Sequence, residues 1–127
     1  MEQQTTLGAE FASALAAKDA GRLGELLHPE IEFRALTPRH QWQADDPEAT
    51  IAILFGQWFE ESDEIRSLEH LEDEELPDRR RVGYRLDVSN PEGRFIVAQQ
   101  AFLSERDGRI DRLRVLCSGY LPVPAPA

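Results

Sequence analysis

The sequence predicts an α+β domain in which N-terminal helices pack on one face of a strongly curved antiparallel sheet. The first observation is that hydrophobic residues recur at helical spacing before Ser62. The second is that this spacing changes after Ser62 to alternation, in long stretches separated by turn sequences. Consecutive long strands joined by tight turns pair as an antiparallel meander, and such strands twist and curl. A chain of 127 residues suits a single domain over residues 1–127 with its core at about 7–121.

Two helices are predicted at the start of the chain. Leu7, Phe11 and Leu15 form one apolar helical stripe, with alanines between them. Asp19 is typical of a helix N-cap and predicts a second, shorter helix. Pro29 ends that helix, because the residue before a proline is pushed out of the α region.

A short strand and a loop are predicted next. Residues 31–36 alternate between apolar and polar side chains, which indicates a strand. Residues 37–44 are polar apart from Trp42 and Ala44, and we expect a loop here. This loop would place His40 and Trp42 near the mouth of any cavity between helices and sheet.

The third helix has the strongest local signals. Asp46 is a typical cap, Pro47 suits the first helical position, and Glu48 puts an acid in the first turn. The buried face follows the i, i+3, i+4, i+7 pattern over Ile51, Leu54, Phe55 and Trp58.

Four strands complete the predicted fold. Turn residues separate the last three strands, at Asn90–Gly93 and Arg106–Gly108. The proline-rich tail at 122–127 is expected to lie extended, because proline cannot donate to a ladder. The predicted strands are Glu64–Glu72, Arg80–Ser89, Arg94–Glu105 and Arg109–Gly119.

The composition disfavours several classes of function. A net charge of −10 repels phosphate backbones and anionic lipids, so we expect neither nucleic-acid nor membrane binding. The acidic excess lies mainly between Glu60 and Asp78. This stretch is either a solvated face or a recognition surface for a basic partner. No apolar run reaches membrane-spanning length and Met1–Thr6 lacks signal-peptide character, so a cytoplasmic location is expected.

The sequence offers little to bind a metal or a cofactor. Cys117 is the only cysteine, which rules out a disulfide within the chain. The three histidines are scattered without ligand-like spacing: His28, His40 and His70. We therefore expect no structural metal and no cofactor.

Four stretches resemble the SnoaL-like branch of the nuclear-transport-factor-2-like superfamily, which has a cystatin-like α+β cone fold. The order of helix, short strand, helix and long meander is similar over residues 7–121. The stretches are Leu26–Phe33, the capped helix Asp46–Phe59, the strand Val97–Phe102 and the turn Asp107–Ile110.

The resemblance implies a conical barrel whose mouth admits small hydrophobic molecules. The superfamily includes steroid isomerases, polyketide cyclases, dehydratases and epoxide hydrolases, together with non-catalytic members, so the fold alone implies no reaction. By this resemblance Phe33 takes the place of a catalytic aspartate near the first strand, and phenylalanine abstracts no protons. A slip of one residue would substitute Glu32 or Arg34, but it would also move the side chain to the other face.

His40 and Tyr84 are the candidate catalytic residues. A histidine titrates near neutral pH and suits a general base, although His40 is equally read as a solvent-exposed loop residue. If Tyr84 faces the cavity, its hydroxyl can donate to an oxyanion, as the resemblance implies for several enzymes of this fold. Arg85 and Asp87 would then face outward as cross-strand charges.

The candidate ligand-binding residues are two tryptophans and two glutamines. Trp42 is either a lid on a ligand or a cover of the core, and Trp58 ends the buried face of the third helix. Gln99 and Gln100 interrupt an apolar strand, so one of them must point inward. A buried amide is costly unless it is hydrogen-bonded, so the inward glutamine either contacts a ligand or joins a polar network. Cys117 is interpreted as a structural thiol.

Three functions are compatible with these residues. The first is a domain that binds a small apolar molecule, with activity like that of an isomerase, cyclase or dehydratase as a further possibility. The second is a non-catalytic homodimer with a filled cavity, in which Arg112 and Arg114 meet acidic residues of a second subunit. The third, transport of a protein cargo, has no support beyond the resemblance.

Overall fold

The computed structural model describes residues 6–124, and it confirms the predicted α+β class. Three helices pack on one face of a large curved sheet. The helices are α1 Leu7–Ala16, α2 Ala20–Leu26 and α3 Pro47–Ile53, and α3 continues as a π-helical turn, Leu54–Trp58. The strands are β1 Leu27–Thr37, β2 His40–Ala44, β3 Glu64–Glu75, β4 Arg80–Asn90, β5 Gly93–Arg106, β6 Arg109–Cys117 and β7 Leu121–Pro122.

The sheet has the strand order β2-β1-β6-β5-β4-β3. The short strand β7 pairs with β5 near its start, at Phe95 and Ile96. The predicted antiparallel meander from β3 to β6 is confirmed. One pair departs from the antiparallel expectation, since β1 runs parallel to β6 and the sheet is therefore mixed. This pairing joins the first strand of the chain to the last strand of the meander.

The predicted helix caps are present. The carboxylate of Asp19 accepts a hydrogen bond from the backbone N–H of Arg22 at 3.0 Å. The carboxylate of Asp46 accepts one from Ala49 at 2.7 Å, with Pro47 in the first turn. These bonds satisfy backbone donors that the first turn of a helix leaves free.

A predicted loop and part of the predicted extended tail form strands instead. Residues 40–44 are not a loop but the strand β2, which pairs with β1 from Thr37↔His40 to Phe33↔Ala44. The pairing satisfies backbone groups that a loop would leave to water. The tail also joins the sheet, because Pro122 lies opposite Phe95 at an edge where a missing N–H is tolerated. Residues 125–127 of the predicted tail and residues 1–5 lie outside the described part.

The two faces of the sheet differ in composition. The inner face, which the helices cover, carries apolar side chains such as Phe33, Val82 and Leu113, each fully buried. Burial of one such large side chain contributes about 1.5–3 kcal/mol. The outer face carries the alternate side chains, and most of these are polar or charged. No helix within residues 6–124 is long and apolar enough to cross a membrane.

Candidate functional site

A row of polar side chains crosses the inner face at one level. Tyr84, Gln99 and Cys117 are cross-strand neighbours on β4, β5 and β6, so their side chains point the same way. The Tyr84 hydroxyl donates to Gln99 Oε1 at 2.6 Å, and Gln99 Nε2 donates to Cys117 Sγ at 3.3 Å. Tyr84 is 3% exposed and Gln99 is 2% exposed. The inward glutamine predicted from the sequence is therefore Gln99, and it belongs to a buried network.

The hydroxyl of Tyr84 remains protonated far above neutral pH. Burial raises the pKa of Tyr84 above its ordinary value of 10.0, and a negative charge on Cys117 would raise it further. Tyr84 is thus a hydrogen-bond donor rather than a base.

Aromatic rings form a wall beside this polar row. The ring centroids of Phe33 and Trp58 lie 5.9 Å apart, and those of Trp42 and Trp58 lie 6.1 Å apart in an edge-on contact. His40 stacks against Trp42 with centroids 4.0 Å apart. The Trp42 indole N–H donates to Thr37 Oγ1 at 2.8 Å. This wall belongs to the packed core, since Phe33 is fully buried and Trp58 is 7% exposed.

Trp58 carries a buried indole N–H without a partner. The residue is 7% exposed, and its Nε1 is closed to solvent and bonds to no protein acceptor. A buried donor left unpaired costs about 1–3 kcal/mol. The π-helical turn that ends at Trp58 closes with a bond from Phe59 N to Leu54 O at 2.9 Å. Turns of this kind occur often at functional sites.

A second polar network fixes the backbone at Trp58. The Tyr120 hydroxyl lies 2.6 Å from the carbonyl oxygen of Trp58 and 2.9 Å from Asp63 Oδ2. Asn90 Nδ2 donates to Asp63 Oδ1 at 2.9 Å, and the backbone N–H of Glu60 donates to Oδ2 at 3.1 Å. Burial raises the pKa of Tyr120, and its bond to Asp63 adds to this effect.

This network could not be predicted from the sequence. Asp63, Asn90 and Tyr120 lie in three separate junctions of the chain, and no local pattern joins them. The one available signal was Asp63 itself, an acid placed where the apolar period changes from helical to alternating.

An open cleft of about 440 Å³ lies beside Trp58. It is bounded by the residues after the π-helical turn, the β4–β5 turn and Tyr120. The lining combines aromatic rings and carboxylates: Trp58, Phe95, Tyr120, Glu60, Asp63 and Glu92.

The structure does not bring His40 and Tyr84 together. His40 is exposed at the start of β2. It lies at the far end of the same row on the inner face, opposite Thr37. Four strand spacings separate it from Tyr84, which is about 19 Å along the sheet at about 4.8 Å for each spacing. Along the sheet, the two candidate catalytic residues therefore lie at well-separated positions.

Gln100 also lies away from the predicted site. Successive side chains of a strand point to opposite faces, so Gln100 is exposed on the outer face while Gln99 is buried on the inner one. Of the two candidate glutamines, of which one was expected to point inward, Gln99 is the inward one, and Gln100 is wrong as a candidate for a site on the inner face.

Strand β1 offers no carboxylate to the inner face. Phe33 is fully buried there, as expected from its position. Glu32 and Arg34 face outward and lie 3.5 Å apart as an ion pair, with Arg114 3.3 Å from the same carboxylate group. Among residues 6–124, no group of three or more histidine, cysteine or acidic side chains is arranged to hold a metal ion.

No protein-family model matches the sequence, and no curated protein matches it. Several solved structures are nevertheless similar. A protein of Catenulispora acidiphila with a ketosteroid isomerase-like fold, in complex with trimethylamine, is 11% identical, covers 91% of this chain and 88% of its own, and has a TM-score of 0.67. An LEH-like epoxide hydrolase of M. tuberculosis is 12% identical, covers 88% and 80%, and has a TM-score of 0.68.

A third structure names the fold directly. The NTF2-like protein of unknown function from Cytophaga hutchinsonii is 16% identical, covers 93% of this chain and 95% of its own, and has a TM-score of 0.58. Identities this low establish a shared architecture and no shared chemistry. The chain therefore has the α+β cone fold of nuclear-transport-factor-2-like and ketosteroid isomerase-like proteins.

Proposed function

We propose that this domain binds a small, largely apolar molecule against the inner face of the sheet. The observation that carries the proposal is the buried hydrogen bond between Tyr84 and Gln99 in an otherwise apolar interior. A polar pair in such a place costs desolvation without a clear gain in stability, and binding sites accept that cost to orient a ligand. The trimethylamine complex of a similar fold supports small-molecule binding in this architecture.

The polar row can supply two kinds of contact. Gln99 Nε2 uses one hydrogen on Cys117 Sγ and keeps a second one. The Tyr84 oxygen keeps its acceptor lone pairs while it donates to Gln99. The rings of Trp42 and Trp58 supply apolar surroundings on the same face. A compact molecule with one or two oxygen atoms matches this arrangement.

Binding is better supported than catalysis. An isomerase-, cyclase- or dehydratase-like reaction needs a base near the ligand. His40 lies far from Tyr84 along the sheet, and β1 presents no carboxylate to the inner face. We expect His40→Gln to leave ligand affinity unchanged, and a loss of turnover in this variant would restore the catalytic reading.

The test compares neighbouring glutamines on opposite faces. Neutral fragments are first screened by thermal stabilisation, and the strongest binder is titrated by calorimetry into wild type, Gln99→Leu and Gln100→Leu. The proposal predicts at least a fivefold weaker affinity for Gln99→Leu and no change for Gln100→Leu. Equal affinities in all three proteins, or no binding fragment, would refute it.

A second candidate function is self-association through the outer face. Leu36 and Leu116 are 48% and 49% exposed on neighbouring strands of that face. Arg34 and Arg114 lie beside them on β1 and β6. The opposite margin of the face is acidic on β3, at Glu69, Glu72 and Glu74.

These margins are complementary under two-fold symmetry. A two-fold axis parallel to the strands would lay the acidic margin of one copy over the basic margin of the other, where the two exposed leucines also lie. We expect sedimentation to detect a dimer at micromolar concentration that Leu116→Glu dissociates. A wild-type monomer under these conditions would exclude this interface.

Two finer assignments rest on the sequence alone. The SnoaL-like branch is proposed from the four stretches given above, and a cytoplasmic location from the character of the chain.

A further inference from the structure

We infer that the free edge of β2 binds the same edge of a second copy of this chain, so that the two sheets join antiparallel about a two-fold axis at Trp42. This interface is separate from the inner-face ligand site and from the outer-face contact proposed above. It uses the backbone of Gln41 and Gln43 instead of side chains on the faces of the sheet. The mode of contact is the addition of one strand to the edge of another sheet.

The first argument is that half of the backbone groups of β2 have no partner strand. β2 is the terminal strand on one side of the sheet, and within residues 6–124 it pairs with β1 alone. The two-residue turn makes Thr37 and His40 a hydrogen-bonded pair, and such pairs alternate along an antiparallel ladder. The backbone N–H and C=O groups of Gln41 and Gln43 therefore face the free edge. Both residues are exposed.

The second argument is that the two edges of the sheet differ in their protection against pairing. The opposite edge strand, β3, carries several carboxylates, and its register with β4 shifts between Ile65 and Ser67 and between Glu69 and Glu72. Charges and bulges of this kind keep edge strands from pairing with other molecules. In contrast, β2 has no acid, lysine, arginine or proline within His40–Ala44, and its register with β1 is unbroken. Of the two edge strands, β2 is thus the one suited to pairing.

The third argument is that one register agrees with the backbone and with the side chains. When Trp42 lies opposite Trp42 of the second copy, each Gln41 lies opposite Gln43 of the other chain. Each of these glutamine pairs exchanges two backbone hydrogen bonds, because their groups face the free edge. The side chains opposite each other are then uncharged amides, which can hydrogen-bond across the junction.

The ends of this register carry complementary charges. Counting outward from Trp42, Arg39 of one copy lies beside Asp45 of the other, and the symmetry repeats this contact. Both residues are exposed, and Asp45 keeps 72% of its side-chain surface while it pairs with Arg34 at 3.1 Å. Two copies with a net charge of −10 each repel one another, so a local attraction favours this register over its alternatives.

The experiment starts from Leu116→Glu, which disrupts the outer-face contact proposed above, so that a remaining dimer must use another surface. Sedimentation of this variant at about 100 µM, a concentration suited to a small interface, should show a dimer. Adding Gln43→Pro removes one edge N–H, and proline is tolerated where the N–H faces solvent. This variant should keep the circular dichroism of wild type and sediment as a monomer. A folded Gln43→Pro variant that still dimerises, or a monomeric Leu116→Glu variant, overturns the inference.

Charge variants in the same background test the register without changing the ladder. Arg39→Asp brings two acids together in its own dimer, and Asp45→Arg brings two arginines together. Each alone should dimerise about tenfold more weakly. An equimolar mixture of the two variants restores both attractive contacts and should recover the dimer. Aspartate is suited to position 39, where φ is 66°. A mixture that stays monomeric overturns the inference, and this result is decisive even if Gln43→Pro fails to fold.

Backbone amide signals of the ¹⁵N-labelled Leu116→Glu protein give a readout for each edge. The signals of Gln41 and Gln43 should shift with protein concentration, whereas that of Glu72 on the opposite edge should not. Shifts at Glu72 without shifts at the two glutamines would place the contact on β3 and overturn the inference. Small-molecule binding to the inner face is measured separately and does not depend on any of these outcomes.

Discussion

Tyr84 and Gln99 face each other across β4 and β5 and share a hydrogen bond of 2.6 Å that is closed to solvent. Their apolar neighbours on the same face are Val82, Leu86 and Val97. The pair is thus polar in an apolar part of the core, and each side chain depends on the other for a hydrogen-bond partner. This dependence can be measured as a coupling energy.

Removing both members should cost less than the sum of the two single removals. We expect Tyr84→Phe to lower the free energy of unfolding by about 1–3 kcal/mol, because Gln99 Oε1 loses its donor in a buried place. The double variant Tyr84→Phe with Gln99→Leu should be more stable than the sum of the single variants predicts. Urea denaturation of the four proteins gives the cycle. Strict additivity would show that the hydrogen bond contributes nothing.

The neighbouring glutamine supplies the control for this cycle. Gln100 is exposed on the outer face, so Gln100→Leu should change the unfolding free energy by less than about 0.5 kcal/mol. A large effect would mean that the outer face is buried in solution against a second molecule.

Stability should fall in alkaline solution. The two tyrosines of the chain both have raised pKa values in the folded state, chiefly through burial. Above pH 10 the unfolded chain releases protons that the folded protein retains, so stability is complete below that pH and decreases above it. The slope is about 1.4 kcal/mol per pH unit for each tyrosine.

Ultraviolet titration tests this prediction directly. Tyrosinate absorbance should stay absent past pH 10 in the folded protein and then appear together with loss of circular dichroism. A tyrosinate signal that rises near pH 10 while the protein stays folded would contradict the buried state of both side chains.

Among the acidic residues that the structure describes, Asp63 should cost the most stability when it is replaced by alanine. It accepts hydrogen bonds from Asn90 and the Glu60 backbone and lies 2.9 Å from the Tyr120 hydroxyl, so Asp63→Ala leaves two donors unpaired and removes a neighbour of Tyr120. We expect a loss of about 2–3 kcal/mol in urea unfolding and a change in tryptophan fluorescence, since this network holds the Trp58 backbone.

The exposed neighbour Glu61 provides the comparison. Glu61→Ala should leave both stability and fluorescence close to those of wild type. If the two alanine variants behaved alike, the network around Asp63 would have no structural importance.

The carboxylate of Glu32 should offset the charge repulsion between two arginines on the outer face. Arg34 and Arg114 are cross-strand neighbours, and Glu32 lies within 3.5 Å of both guanidinium groups. Because all three side chains are about one-third exposed or more, we expect Glu32→Gln to cost at most about 1 kcal/mol. The loss should shrink at high salt, which screens the repulsion between the arginines. A loss that is unchanged by salt would point to packing instead of charge.

Local signals explain which parts of the fold could be predicted. The caps at Asp19 and Asp46 and the turns of the meander depend on residues close in sequence, and these predictions were confirmed. The parallel pairing of β1 with β6 depends on partners far along the chain, and the sequence did not indicate it. The β2 strand pairs with the adjacent β1 across a two-residue turn, but its polar residues favoured a loop.

The candidate site was predicted only in part for the same reason. Alternation required one inward glutamine, but only the register of β5 with β4 and β6 identifies it as Gln99. The unpaired N–H of Trp58 depends on the π-helical turn and on Tyr120, which no spacing in the sequence reveals. His40 had the chemistry of a base, but its distance from Tyr84 follows from the strand order.

The most direct test of the account is a crystal structure of the protein with the neutral fragment that binds most tightly. We expect electron density on the inner face of the sheet, within contact of Gln99 or Tyr84. Density confined to the outer face, beside Leu36, Leu116 and Gln100, would contradict it and would favour an interaction surface in place of a ligand site.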